Sequence, residues 1–164
     1  MRKLPFVLPA IAFLLPSLCH AQESCPWFNQ ASAAGVLDSA VGLVVTHPDP
    51  DHKVDMICDF TSKAGPAARQ LRIDVRTKGR AGGDLGLATA KCTAKPVAVN
   101  AVGNEALACS LDAKNGQRTE QVAGRMRDRI FVVQISTNDR AWVVDDELRE
   151  RTRSVADQVA GNLF

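Results

Sequence analysis

Residues 70–78 read QLRIDVRTK, a segment in which apolar and polar side chains alternate. The apolar positions begin at Leu71 and recur at every second residue, while the polar positions include Arg72 and Arg76. Successive side chains of a β-strand point to opposite sides, so this alternation separates an apolar face from a polar one. The segment is therefore predicted to form a strand with one face buried and one face polar.

Further segments with strand character lie on both sides of this strand along the chain. Runs rich in apolar and β-branched residues cover residues 41–46, 54–60, 106–114, 117–125 and 130–137. Asn115-Gly116 is typical of a two-residue hairpin turn, because both positions of such a turn need positive φ. Strands linked by hairpins predict a mainly antiparallel sheet, here of six to seven strands.

Three helices are predicted beside this sheet. An alanine-rich helix runs from its N-cap Asn29 to about Leu37, and a short middle helix covers residues 84–91. A long C-terminal helix starts at the acidic run 145–147, because carboxylates stabilise the N-terminus of a helix. Its apolar residues then recur at helical spacing to the C-terminus. Together the elements predict an α+β fold.

The first 21 residues have the pattern of a cleavable signal peptide, called the leader below. Two basic residues precede a short, proline-broken apolar run, and Ala21 is the small residue before the cleavage point. We therefore expect residues 1–21 to be removed and residues 22–164 to fold as a single domain. The alternative is a lipoprotein lipidated at Cys19, but Leu18 stands where that processing requires a small residue.

Net charge disfavours one large class of function. The formal charge of the whole chain is +2, which equals the contribution of the two basic residues in the leader. The mature domain is therefore close to neutral, whereas a nucleic-acid-binding protein usually has a basic surplus that neutralises phosphates. No nucleic-acid partner is expected, and no transmembrane span is expected in the mature chain.

Four cysteines follow the leader, at positions 25, 58, 92 and 109. An even number in a small exported chain indicates disulfide bonds, because the compartment is oxidising. Zinc binding is the rival interpretation, but zinc sites favour closely spaced cysteine pairs. Three pairings are open, and we predict Cys25–Cys58 with Cys92–Cys109, since each joins the end of a predicted helix to a nearby strand. The domain is then expected in the periplasm or outside the cell.

Three landmarks follow one another along the mature chain. Cys25 stands ahead of the alanine-rich helix, Cys58 lies in the strand MICDF at residues 56–60, and the turn VGNEA occupies residues 102–106. In this order the chain resembles a family of small exported domains of unknown function, best known as actinobacterial lipoproteins. The resemblance implies an antiparallel α/β sandwich and no catalytic residues. The chain departs from that family in lacking a matching lipidation site.

The loop HPDPDH at residues 47–52 has the composition of a metal site. Its prolines stiffen the chain, so that the side chains of His47, Asp49, Asp51 and His52 could converge on an ion. A solvated turn between two strands has the same composition, and we prefer that interpretation. No cofactor is therefore predicted.

A row of arginines suggests a binding surface. Arg125, Arg127 and Arg129 alternate in sequence, and in a strand all three would lie on one face, near Arg72 and Arg76. Such a face could clamp a carboxylate or a phosphate through paired hydrogen bonds. A solvated face with its charges paired to neighbouring carboxylates is the ordinary alternative.

The sequence offers little of the machinery of an enzyme. The usual nucleophile, zinc-protease and phosphate-loop motifs do not occur, and the chain has three histidines and no tyrosine. Glu105 follows a predicted turn at the start of a strand, where it either caps the turn or joins a site. A cell-envelope hydrolase using acidic residues such as Asp51 and Glu105 is one alternative.

The preferred hypothesis is a non-enzymatic exported binding module. Its partner would be an anionic ligand or a protein of the cell envelope. The candidate binding residues are Arg72, Arg76, Arg125 and Arg127, with Glu105 as a further candidate. A purely structural accessory subunit is the remaining alternative.

Overall fold

The computed structural model describes residues 23–48, 55–62, 68–77, 85–111 and 116–164, so the predicted leader lies outside the described residues. The helices are α1 (Gln30–Val36), α2 (Leu85–Ala88) and α3 (Asp145–Gly161). The strands are β1 (Val41–Thr46), β2 (Met56–Ser62), β3 (Arg69–Thr77), β4 (Val97–Ala98), β5 (Glu105–Leu111), β6 (Arg118–Met126) and β7 (Arg129–Thr137).

Within the described ranges the strands form one seven-stranded sheet in the order β1-β2-β3-β7-β6-β5-β4. Every neighbouring pair is antiparallel, and the pairing of β3 with β7 joins the first three strands to the last four. The predicted α+β class and antiparallel sheet are confirmed. The two-residue strand β4 is an addition that the sequence pattern did not predict.

One side of the sheet, called the core face, is buried under α1 and α3. Leu71 and Ile73 of β3 lie on this face and are 0% exposed, as their alternation with polar residues predicts. They share one hydrophobic core with Ala33 of α1 and Val155 of α3. Each fully buried aliphatic side chain contributes about 1.5–3 kcal/mol to folding, so this face is the main source of stability.

Gly124 on β6 allows the centre of the core face to pack closely. It lies directly opposite Phe131 of β7. A Cβ atom at position 124 would come within 2.3 Å of Phe131 Cζ, much closer than carbon atoms approach one another. The missing side chain therefore makes room for an aromatic ring that is 0% exposed.

The C-terminal helix α3 starts where its acidic residues predict. Asp145, Asp146 and Glu147 form its first turn, where their charges interact favourably with the helix dipole. Leu148 and Val159 are among its buried residues, in agreement with the apolar spacing of the sequence. None of the helices in the described ranges is long and apolar enough to cross a membrane.

Both predicted disulfide bonds are present, and they hold segments against opposite sides of the sheet. Cys25 bonds to Cys58 across 33 residues, and Cys58 lies on the core face opposite Ile73. Cys92 bonds to Cys109 across 17 residues. Cys109 lies on the other side of the sheet, called the α2 face because α2 packs there. The α2 face carries the polar residues of β3.

Candidate functional site

A groove of about 550 Å³ lies on the α2 face between the sheet and α2. The polar residues of β3, from Gln70 to Arg76, line one wall. Ile130 and Val132 of β7 form an apolar part of the floor, while Leu87 of α2 and Lys91 just after it approach from the other side. The volume falls within the range of small-molecule sites in proteins.

Of the two arginines that line the groove, Arg72 has the more open guanidinium. Its Nη1 donates to Asp59 Oδ2 at 3.1 Å, and Gln70 Nε2 donates to Asp59 Oδ1 at 3.1 Å. No described residue accepts a hydrogen bond from Arg72 Nε or Nη2, and the side chain is 40% exposed. One edge of the guanidinium therefore remains open to a ligand in the groove.

Arg76 is held more firmly by its own strand. Its Nε donates to Asp74 Oδ1 at 2.9 Å, and its Nη2 donates to Asp74 Oδ2 at 2.7 Å. These paired hydrogen bonds outweigh desolvation and raise the pKa of Arg76 above its ordinary value. Arg76 therefore supplies a fixed positive charge, but its Nε–Nη2 edge is already engaged by Asp74.

A chain of side-chain amides fixes α2 over the groove. Gln134 Nε2 donates to Gln121 Oε1 at 2.7 Å, and Gln121 Nε2 donates to the carbonyl of Ala88 at 3.0 Å. Gln121 is only 2% exposed, so these bonds satisfy a buried polar group. Together with the Cys92–Cys109 disulfide they hold Leu87 above the floor, with 62% of its surface exposed.

The charges of the described residues in and beside the groove do not cancel. Arg72, Arg76 and Lys91 provide three cations. Asp74 in the lining and Asp59 beside it provide two carboxylates. Lys91 makes no ion pair with any residue in the described ranges. One positive charge therefore remains for a ligand to neutralise, and the surrounding glutamine amides can hydrogen-bond to uncharged polar groups.

Arg125 and Glu105 are brought together by the structure, but outside the groove lining. They are directly opposite each other on β6 and β5, with Arg125 Nη2 3.1 Å from Glu105 Oε2. Their side chains are 37% and 51% exposed. An exposed pair of this kind contributes about 0–1 kcal/mol. Arg125 shares the α2 face with Arg76, since both lie opposite Ile130.

The prediction that Arg125, Arg127 and Arg129 share one face is wrong. β6 ends at Met126 and β7 begins at Arg129, so Arg127 lies in the hairpin turn between them. Arg127 has a φ of +55°, and its guanidinium stacks on the Phe164 ring at 5.2 Å. Arg129 lies two residues before Phe131 on β7, so its side chain is on the core face. Of the three, only Arg125 lies on the α2 face.

The predicted metal loop lies mostly outside the described residues, which exclude Asp49, Asp51 and His52. His47 is described, and its Nε2 lies 2.6 Å from Glu23 Oε1. Within the described ranges no group of three or more His, Cys, Asp or Glu side chains is arranged to hold a metal ion.

Several groove residues were not predicted from the sequence. Gln134 and Ser136 alternate with buried residues of β7, so the alternation that identified Arg72 also places them on the α2 face. Extending that alternation to residues 130–137 would have found them. Leu87 and Lys91 carry no such signal, because their position depends on how α2 is anchored to the sheet.

No family model, curated protein or solved structure matches the chain. The similarity to small exported domains therefore stays a prediction, and the site is interpreted from its own geometry.

Proposed function

We propose that this protein is an exported binding module that holds a carboxylate-bearing small molecule or peptide end in the groove on the α2 face. The observation that carries the proposal is the open edge of Arg72, whose Nε and Nη2 have no acceptor among the described residues. A guanidinium edge is matched to a carboxylate, which accepts two parallel hydrogen bonds from it.

Charge supports a ligand with a single negative charge. Among the described residues, the groove has one cation more than its carboxylates, counting Arg72, Arg76 and Lys91 against Asp59 and Asp74. A ligand with several negative charges, such as a free phosphate, would be repelled by the two aspartates. A monocarboxylate would neutralise the surplus without leaving an uncompensated charge.

The remaining surface of the groove supports a ligand with an apolar part and an amide. Ile130, Val132 and Leu87 offer apolar contact, and the exposed surface of Leu87 would be removed from water by a bound aliphatic group. Gln70 and Gln134 add amide oxygens that can accept from a peptide N–H group. N-acetylated aliphatic amino acids combine these features and serve as probes.

The disulfides support an oxidising compartment for this function. Two bonds in a domain of this size are typical of proteins that fold in the periplasm or outside the cell. Binding there needs no cofactor in this proposal.

The proposal is tested by titrating N-acetyl-leucine into the oxidised protein by calorimetry, with N-acetyl-leucinamide as the uncharged control. Wild type should bind the acid and not the amide. Arg72→Gln should weaken binding at least about tenfold, because a hydrogen bond to a charged group contributes about 1.5–3 kcal/mol. Arg125→Gln is the matched control, since Arg125 shares the face but not the groove.

Two results would contradict the proposal. One is equal binding of the acid and the amide, which would remove the carboxylate from recognition. The other is an unchanged affinity in Arg72→Gln while thermal unfolding shows the variant to be as stable as wild type. A protein that binds neither probe would favour the structural accessory subunit.

A further inference from the structure

The two edges of the sheet are protected very differently. β4, at one edge, is two residues long and follows directly on Lys95 and Pro96. Short edge strands, lysine and proline all hinder the addition of another strand. β1, at the other edge, is six residues long with the sequence VGLVVT, and it contains no charged residue and no proline. Among the described residues, the β1 edge is therefore the more open of the two to strand pairing.

The β1 edge is also apolar where it meets water. Val44 lies on the α2 face of β1 and is 63% exposed, one of the few large apolar side chains with so much of its surface in water. Leu43 and Val45 point to the other side and pack partly against the core. A new strand beside β1 would cover Val44 and would complete the burial of its neighbours.

Half of the backbone N–H and C=O groups of β1 point away from the sheet. β1 pairs only with β2 in the described sheet, so every second residue directs its N–H and C=O outward. Gln30 Nε2 donates to the carbonyl of Val41 at 2.6 Å, which places Val41 in the outward set. Leu43 and Val45 have the same phase, so their N–H and C=O groups form the available hydrogen-bonding edge.

We propose that β1 pairs with β1 of a second copy of this chain, antiparallel and about a two-fold axis at Val44. In this register Leu43 and Val45 exchange backbone hydrogen bonds with Val45 and Leu43 of the second copy. Val44 of each copy then contacts its equivalent on the α2 face. The result is one continuous sheet built from two seven-stranded halves.

A second copy suits this edge better than a charged partner strand. The edge carries no charge, so self-pairing opposes no like charges, and identical valine side chains bury each other across the axis. Helix α1 packs beside β1, and two of its exposed residues, Ala31 and Gly35, are small.

The expected dimer is weak. A six-residue strand is about 20 Å long at 3.4 Å per residue, so the interface is small compared with that of a permanent dimer. We expect a dissociation constant on the order of 10⁻⁵ M.

The experiment is sedimentation velocity of the oxidised full-length mature protein from about 5 µM to about 500 µM, a range that brackets the expected constant. Wild type should change from monomer to dimer. Val44→Lys should weaken dimerisation at least tenfold, because two ammonium groups would meet at the axis. Val97→Lys is the matched control, since Val97 is 69% exposed on the opposite edge strand, and it should dimerise like wild type.

A second variant tests the register itself. Val44→Cys should form a covalent dimer on mild oxidation, because directly opposed Cα atoms in such a pair are about 4.5 Å apart, within disulfide range. Val97→Cys should not. Wild type that stays monomeric at the highest concentration overturns the proposal, and so does equal dimerisation of the two lysine variants.

Discussion

Asp38 shows at the scale of single residues how the end of α1 is tied to the rest of the molecule. Its Oδ2 accepts from Trp142 Nε1 at 2.9 Å and from Arg151 Nη1 at 2.9 Å. The guanidinium of Arg69 stacks on the Trp142 ring at 4.6 Å, and that of Arg151 lies 5.3 Å from it. Asp38 has a φ of +48°, a conformation that aspartate and asparagine adopt more easily than most residues.

These contacts make the stability depend on pH. The hydrogen bond from Trp142, helped by Arg151, lowers the pKa of Asp38 below its ordinary value of 3.8. A group whose pKa is lower in the folded state stabilises the fold above the unfolded-state pKa, and that contribution disappears as the pH falls through the folded-state pKa.

Asp38→Asn should therefore lower the melting temperature near neutral pH and have little effect in strong acid. Asparagine keeps the backbone preference and one side-chain oxygen that can accept from Trp142, but it loses the charge and one acceptor oxygen. Since the carboxylate is half exposed, we expect a loss of about 1–4 °C at pH near 7, from about 0.2–1 kcal/mol for an exposed ion pair. Thermal unfolding followed by circular dichroism at both pH values checks this. A difference that persists unchanged in acid would show that the charge is not the cause.

At the scale of elements, the two disulfides anchor different segments of the chain to opposite faces of the sheet. Cys25–Cys58 anchors the segment before α1 to the core face, and Cys92–Cys109 anchors the segment after α2 to the α2 face. Only the second bond positions groove residues, because Leu87 and Lys91 both belong to the segment that it holds.

Replacing each cysteine pair by alanine separates stability from binding. Loss of either bond should reduce the free energy of unfolding by about 3–4 kcal/mol, from the chain entropy of loops of this length. Only the Cys92→Ala/Cys109→Ala protein should also lose affinity for N-acetyl-leucine, measured where both proteins are folded. Equal losses of affinity in the two double variants would mean that α2 does not shape the site.

Elements with a strong local signal were predictable from the sequence. The alternation around Leu71 identified β3 and its polar face, and the acidic run at 145–147 identified the start of α3. The strands on both sides of the β6–β7 turn were predicted, but the row of arginines was not recognised as crossing that turn, because the turn contains neither glycine nor asparagine. The positive φ of Arg127 is supported instead by a distant residue, since its N–H donates to Asn104 Oδ1 at 2.8 Å.

At the scale of the whole molecule, the sheet separates the main source of stability from the proposed binding groove. The core face buries the apolar side of β3, and the α2 face presents the polar side of the same strand to the groove. The sequence indicated which side of β3 was polar, but the groove also needed the tertiary position of α2. In the proposed dimer the axis is perpendicular to the sheet, so both grooves would open on the same side.

The most direct test of carboxylate recognition on the α2 face is a ¹H–¹⁵N NMR titration of the oxidised protein with N-acetyl-leucine. We expect the amide signals of Arg72 to Arg76, Leu87 to Lys91 and Gln134 to shift together and saturably, while those of α3 stay in place. An absence of shifts at millimolar ligand, or shifts confined to residues outside the groove, would contradict the account.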